Sequence, residues 1–255
     1  MNFPPIRTSN INTWEYNHTM SNAPLNETEL AALRAWDTPT ICNALEITSP
    51  ERRTIGFTVE PLVCAFPDLA PMVGYARTAN IRSVEPSTRP GAEMRDQRLN
   101  YYRYIAEAPG PTVAIIQDMD GPRRAYGAFW GEVQSTIHHS LGCLGVVTDG
   151  SVRDIDAVAP GFQFIADRIG PSHAHVHLED FGKAVNVSGM MVHSGDLIHA
   201  DRHGAVVIPH NVARAVPDAC KLLERREAVI LEACRQPDFD VEALGRAMAN
   251  SADIH

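Results

Sequence analysis

The stretch GEVQSTIHHSLGCLGVVTDGSVRDID, residues 131–156, holds two hydrophobic periods in succession. Val133, Ile137 and Leu141 recur every four residues, which is one face of a helix. CLGVVTDG, residues 143–150, is then a short apolar run of strand type, closed by the turn signal Asp149-Gly150. Upstream, TVAIIQDMDG over 112–121 reads as another short buried strand ending in a turn. A strand, a helix and a second strand in this order imply a crossover connection and parallel pairing. That unit places the chain in the α/β class.

Working outward, residues 1–25 are polar and aperiodic and read as an N-terminal arm, with a single domain over 26–255. Asn26 and Glu29 have capping-box spacing, and Leu30, Leu33 and Trp36 follow on one helical face. Thr38-Pro39 opens a second helix, because proline suits the first helical position. From 55 to 83 the pattern is of strands, FTVEPLVCAF and MVGYARTANIRS, with a turn at Pro67-Asp68. Residues 91–107 are helical, with Leu99, Tyr102 and Ile105 in register. PGFQFIA, SHAHVHL, AVNVSGMMVHSGD and LIHADRHGAVVIP alternate strands and turns, and 211–250 finish as helices. The organisation expected is one domain with a mixed sheet system and terminal helices.

Composition narrows the function classes. The chain has 255 residues, a formal net charge of −9 and no block of like charges, which argues against non-specific nucleic-acid binding. Five scattered cysteines without a CxxC pair argue against a zinc knuckle or a disulfide framework. No apolar run approaches the length of a membrane span and the first residues show no apolar signal core, so the expected location is cytoplasmic.

Three features give the 131–156 stretch its chemistry. Gly131 and Glu132 begin the helix, where free backbone N–H groups accept a carboxylate or phosphate. The following strand delivers Arg153 and Asp154 at its C-terminal end, where open α/β sheets hold ligands. An arginine fork matches a carboxylate, and an aspartate offers hard oxygens to a divalent cation. The competing structural reading has Asp154 capping the next helix and Arg153 paired with a surface acid; the residues alone leave both open.

The same run resembles the metal-dependent class II pyruvate aldolases related to 4-hydroxy-4-methyl-2-oxoglutarate/4-carboxy-4-hydroxy-2-oxoadipate aldolase. It equally resembles their non-catalytic relatives, the regulators of ribonuclease activity A. The shared pattern is an acid (Glu132), the twenty residues 133–152, then Arg153-Asp154, with Gly142, Gly145, Val147 and Asp149-Gly150 between. Asp37-Thr38-Pro39-Thr40, Val73 to Thr78, Ser194 to Asp201 and His203 to Pro209 resemble further motifs in order, so the family core covers about 27–215.

The resemblance implies a single compact β/β/α, swivelling-domain-like sandwich with terminal helices, assembled as a homotrimer or homohexamer. It implies that Asp154 ligates Mg²⁺ or Mn²⁺ and that Arg153 binds a small 2-oxo acid and stabilises its enolate. The N–H groups of Gly131, Glu132, Val133 and Gln134 would receive the pyruvoyl carboxylate, and Glu132 would position a water that exchanges the methyl proton. The activity implied is cleavage of a 4-hydroxy-2-oxo acid to pyruvate and a carbonyl compound, with oxaloacetate decarboxylation beside it. The rival is a non-enzymatic regulator that masks an RNA-degrading enzyme. Two departures stand out: the early acid is Glu132 where the family usually has aspartate, and Ala157 stands where some active members carry an acid, Asp156 lying one residue earlier.

Other polar residues rank lower. His173, His175 and His177 alternate and would share one strand face, as metal ligands or, more ordinarily, as interface imidazoles. His138 and His139 ride on the Glu132 helix, at least one of them on the surface. His199 and His203 flank Asp201, within reach of an adjacent site or, more ordinarily, as satisfied turn histidines; Arg123-Arg124 read as help for a polycarboxylate tail or as a solvated turn; and Cys143 reads as core.

Overall fold

The computed structural model describes residues 23–255, so the arm lies almost entirely outside the described residues. Asn26 caps α1 (Glu27–Arg34) in a complete capping box, and Asp37 caps α2 (Thr38–Thr48) with Pro39 in its first turn. Leu30 and Leu33 are buried, as their spacing predicts.

A nine-stranded mixed sheet forms the centre. Its parallel part runs β2 (Met72–Arg82), β3 (Thr112–Asp118), β5 (Cys143–Val152) and β6 (Gln163–Ile169), each hydrogen-bonded to the next. The short β1 (Val63–Cys64) borders β6 antiparallel. At the other side β10 (Leu197–Asp201) and β11 (Gly204–Ile208) continue from β2 antiparallel. β4 (Ala128–Trp130) and β7 (His177–Phe181) attach to β5 and β2, while β8 (Val185–Val187) and β9 (Met190–Val192) make a separate hairpin.

Both faces of the parallel strands are covered, which is why they read as continuous apolar runs rather than alternating ones. On β3, Ala114 and Ile116 face a core shared with α3 (Gly91–Ile105) and α4 (Glu132–Ser140). Val113 and Ile115 face the opposite core, closed by Val185, Val187, Met190 and Val192 of the β8–β9 hairpin. A third core packs α1, α2 and α5 (Val216–Cys234) over β10 and β11, and α6 (Val241–Ala252) ends the chain against α5.

The structure corrects five expectations. Asp149-Gly150 is not a turn; β5 runs through it to Val152, because Asp149 is buried and its carboxylate accepts a neighbouring strand's amide. The buried face of α4 is Ser135 and His138 rather than Val133, which is 66% exposed; polar groups that find partners displace the apolar stripe. Leu99 is likewise outward on α3, where Tyr101 and Ile105 are inward. Of the three alternating histidines only His177 lies in a strand: residues 173–176 turn, Ala174 takes a left-handed φ of 45°, and the three do not share a face. FTVEPLVCAF contributes only the two-residue β1 and a bridge from Phe57 to Val206.

Candidate active site

The site is assembled where β4 joins the tip of β5. Ala128 pairs with Ser151 and Trp130 with Val152, and the Arg153 N–H donates to the Trp130 carbonyl at 3.0 Å. This stitch brings Gly131, the residue after β4, against Asp154, two residues past the end of β5. A Cβ on Gly131 would lie 2.6 Å from Asp154 Oδ2 and 3.2 Å from Arg153 Cγ, so a glycine is required for the carboxylate to come this close.

Asp154 occupies the left-handed region at φ 55° and ψ 40°, a conformation that aspartate tolerates better than most residues. It precedes a short 3₁₀ turn, Ile155–Ala157, yet its side chain makes no capping bond there. The capping reading is therefore set aside. Arg153 Nη1 lies 3.0 Å from Asp154 Oδ2 and 3.1 Å from Oδ1, and both side chains are 35% exposed. Arg153 thus pairs with its own neighbour rather than with a distant surface acid.

α4 starts beside this pair without a side-chain cap. Its first intrahelical bond runs from Ser135 N–H to Gly131 C=O, which leaves the N–H groups of Glu132, Val133 and Gln134 available as donors at the positive end of the helix. Gln134 is held in place, its Oε1 accepting from Tyr102 O–H at 3.0 Å. Glu132 and Val133 are exposed.

The helix is anchored from below by His138, which is fully buried and within 4.5 Å of the Trp130 ring, centroid to centroid. Its Nδ1 bonds the Gln134 carbonyl at 2.7 Å, so that nitrogen carries the proton, and Nε2 accepts from Tyr101 O–H at 3.0 Å. Burial pushes the imidazole down to about 4, which keeps it neutral. His138 is structural, and His139 is exposed, as expected for one of the two.

The remaining polar residues lie elsewhere. His199 is buried on β10, donating to the Trp36 carbonyl through Nε2 and accepting from Thr38 Oγ1. His203 pairs with Asp201 at 3.1 Å, Arg123 with Glu85, and Arg124 with Glu60 and Asp167. Cys143 is buried. Among the described residues no group of three or more His, Cys, Asp or Glu side chains is arranged to hold a metal ion, and none of the described helices is long and apolar enough to cross a membrane.

Residues that the sequence pattern passed over are Tyr101, Tyr102 and Trp130, which seat α4, and Asp118 and Asp120, which hold the loop before β4. The aspartates in QDMDG carried a signal, a pair of short acceptors immediately after a buried strand.

Comparison with known proteins agrees with this architecture. The profile of the family described as RraA-like, Aldolase/RraA, matches residues 38–207, and the chain belongs to that family. An uncharacterised protein of Methanocaldococcus jannaschii is 31% identical over 120 residues, which are 46% of this chain and 58% of that relative's length. Among solved structures, an uncharacterised protein from Pseudomonas syringae pv. tomato superimposes with a TM-score of 0.63 at 22% identity, covering 88% of this chain and 98% of the other. Streptomyces coelicolor RraAS2, described as an unusual member of the RNase ES inhibitor RraA protein family, gives 0.62 at 21% identity over 81% and 96%. At these identities the structural likeness establishes the fold.

Proposed function

We propose that this protein is a divalent-metal-dependent lyase that cleaves a 4-hydroxy-2-oxo acid to pyruvate and a carbonyl compound, with oxaloacetate decarboxylation at the same site. The observation that carries the reading is the Asp154 carboxylate, set over Gly131 beside the uncapped start of α4 with the Arg153 guanidinium 3.0 Å away. An RNase-masking protein has no need of that arrangement.

The residues fit a hard, water-rich cation. Asp154 offers exposed carboxylate oxygens whose side-chain partner is Arg153, and Mg²⁺ accepts one protein carboxylate with water in its other positions. A multidentate protein cage is not what these residues provide. When bound, Mg²⁺ or Mn²⁺ would polarise the 2-oxo group of the substrate.

The chain's own groups do the rest. The N–H groups of Glu132, Val133 and Gln134, with Gly131 permitting close approach, receive the pyruvoyl carboxylate. In the retro-aldol step the 4-hydroxyl gives its proton to the water held by Glu132, the C3–C4 bond breaks, and its electron pair forms the C2–C3 enolate. Arg153 balances the charge on that enolate oxygen. Glu132 holds a water that returns a proton to C3, giving pyruvate. Decarboxylation replaces the carbonyl product with CO₂ and passes through the same enolate. Membership of the RraA-like family is the support for an assembled site, as a trimer or a dimer of trimers.

The test is pyruvate release from a panel of 4-hydroxy-2-oxo acids and oxaloacetate, with Mg²⁺ and with a chelator. Metal-dependent turnover that disappears in Asp154→Ala supports the reading. No turnover on any of these substrates sinks it.

A further inference from the structure

The loop between β3 and β4, residues 119–127, delivers Gly131 and Glu132 to the Arg153–Asp154 pair, and a relay of three aspartates ties it down. Asp149 on β5 accepts the Asp118 N–H through Oδ1 at 2.7 Å. Asp118, the last residue of β3, accepts Ala125 N–H through Oδ2 at 2.8 Å and Asp120 N–H through Oδ1 at 3.0 Å. Asp120 Oδ2 accepts the N–H groups of Ser83 and Val84 at 2.6 and 3.0 Å. Ser83 Oγ donates to the same Asp120 oxygen and accepts Gly127 N–H at 3.0 Å.

The tether matters because the loop backbone is unusual. Ala125 sits at a left-handed φ of 61°, and Gly127 passes so close to His173 that a Cβ would lie 2.6 Å from its carbonyl oxygen. Such a conformation persists only where its surroundings impose it. Beyond Gly127 the chain enters β4 and reaches Gly131 three residues after Ala128.

Asp149 is the base of the relay and is 6% exposed. The charged groups facing it are Asp118 from β3 and Arg124 from the loop; Asp118 in turn faces Asp120 and Arg82 of β2. Arg124 is also committed to Glu60 and Asp167. Ionised, Asp149 accepts the Asp118 amide more strongly, but it is a buried charge repelled by Asp118, and the cost of burying it outweighs that gain. Protonated, it still accepts the Asp118 amide through its carbonyl oxygen and the repulsion is gone.

We propose that Asp149 is a positioning residue whose protonation state sets how firmly the 119–127 loop presents Gly131 and Glu132 to Arg153–Asp154. Burial, followed by the Asp118 charge, raises the Asp149 carboxyl to about 7, so the switch falls in the neutral range. What the presented site then does rests on the lyase reading; the relay itself does not.

The experiment follows the amides of Asp118, Ala125 and Gly127 by ¹H–¹⁵N NMR on the full chain from about pH 5.5 to 8.5, with oxalate plus Mg²⁺ binding measured by calorimetry at the same values. The Asp118 amide is expected to shift with a midpoint near 7. Ala125 and Gly127 should follow it, and their protection factors, taken after correction for base-catalysed intrinsic exchange, should fall about tenfold on the alkaline side. Asp149→Asn, which keeps the acceptor oxygen and loses the charge, should abolish the midpoint and hold the protected state throughout. Oxalate affinity should fall across the midpoint in the wild type alone. An Asp118 amide that is flat through neutrality overturns the proposal, as does a titration that Ala125 and Gly127 ignore; both are read on the wild type even if the variant misfolds. If the amides respond as expected and oxalate fails to bind at every pH, the relay stands and the lyase reading falls.

Discussion

Replacing Gly131 with alanine separates the site from the fold. The new Cβ would stand 2.6 Å from Asp154 Oδ2, and ordinary van der Waals contact begins near 3.4 Å, so the carboxylate must retreat by about 0.8 Å. It can do so cheaply: the obstructing atom ends a side chain that is 35% exposed. The backbone at Gly131 is extended, φ −174° and ψ −160°, so alanine brings no conformational strain and restricts the unfolded chain by about 0.4–1 kcal/mol. Global stability should therefore stay within about 1 kcal/mol of wild type. A misplacement of this size at a reacting centre costs on the order of 100-fold, or about 2.7 kcal/mol of barrier. The assays are urea denaturation and Mg²⁺-dependent pyruvate release on the same preparation. Full activity in Gly131→Ala would refute the close-approach argument. A loss of activity matched by a collapse of stability would show that the glycine serves the fold.

Gly145→Ala should behave oppositely, because its Cβ would lie 2.4 Å from the Gln163 carbonyl oxygen and 2.9 Å from the Gln163 nitrogen; strands β5 and β6 must separate, and thermal denaturation should show a loss of about 2 kcal/mol or more. Asn26→Ala removes the α1 capping box and should cost about 1 kcal/mol by urea denaturation while leaving activity unchanged. His138 and His199 are each held near 4, below the ordinary 6.5, so their contribution is present above about pH 6.5 and is lost as pH falls toward 4, about 2 kcal/mol apiece by pH 5. Asp149, raised from 3.8 to about 7, works in the other sense: its contribution is full below pH 4 and is lost as pH rises through 7, which returns about 2.3 kcal/mol between pH 7 and 5. Wild type should then lose only about 1.5 kcal/mol between pH 7 and 5, and Asp149→Asn about 4; equal slopes for the two proteins would contradict the assignment of Asp149.

The helix starts were legible because capping is local chemistry. Asn26 with Glu29, and Asp37 before Thr38-Pro39, satisfy amide donors within a few residues and need no partner from elsewhere. The α/β class was legible because β3 and β5 are apolar along their length with a helix between them. Where local signals misled, a distant partner was the cause. Asp149-Gly150 has turn composition, yet it lies inside β5 because the Asp118 amide supplies what a turn would otherwise have supplied. Val133 fits an apolar stripe, yet α4 turns outward there because Tyr101 satisfies buried His138 on the opposite face.

By itself, then, the sequence determined the order of elements, both capped helices and the spacing from Glu132 to Arg153-Asp154. The tertiary structure decided that β4 pairs with the last residues of β5, that Gly131 consequently faces Asp154, and that a loop held by Asp118, Asp120 and Asp149 keeps them there. The division follows from range. Caps and hydrophobic periods act over a few neighbouring residues, whereas the 2.6 Å approach at the site depends on two chain segments more than twenty residues apart, brought together by strand pairing.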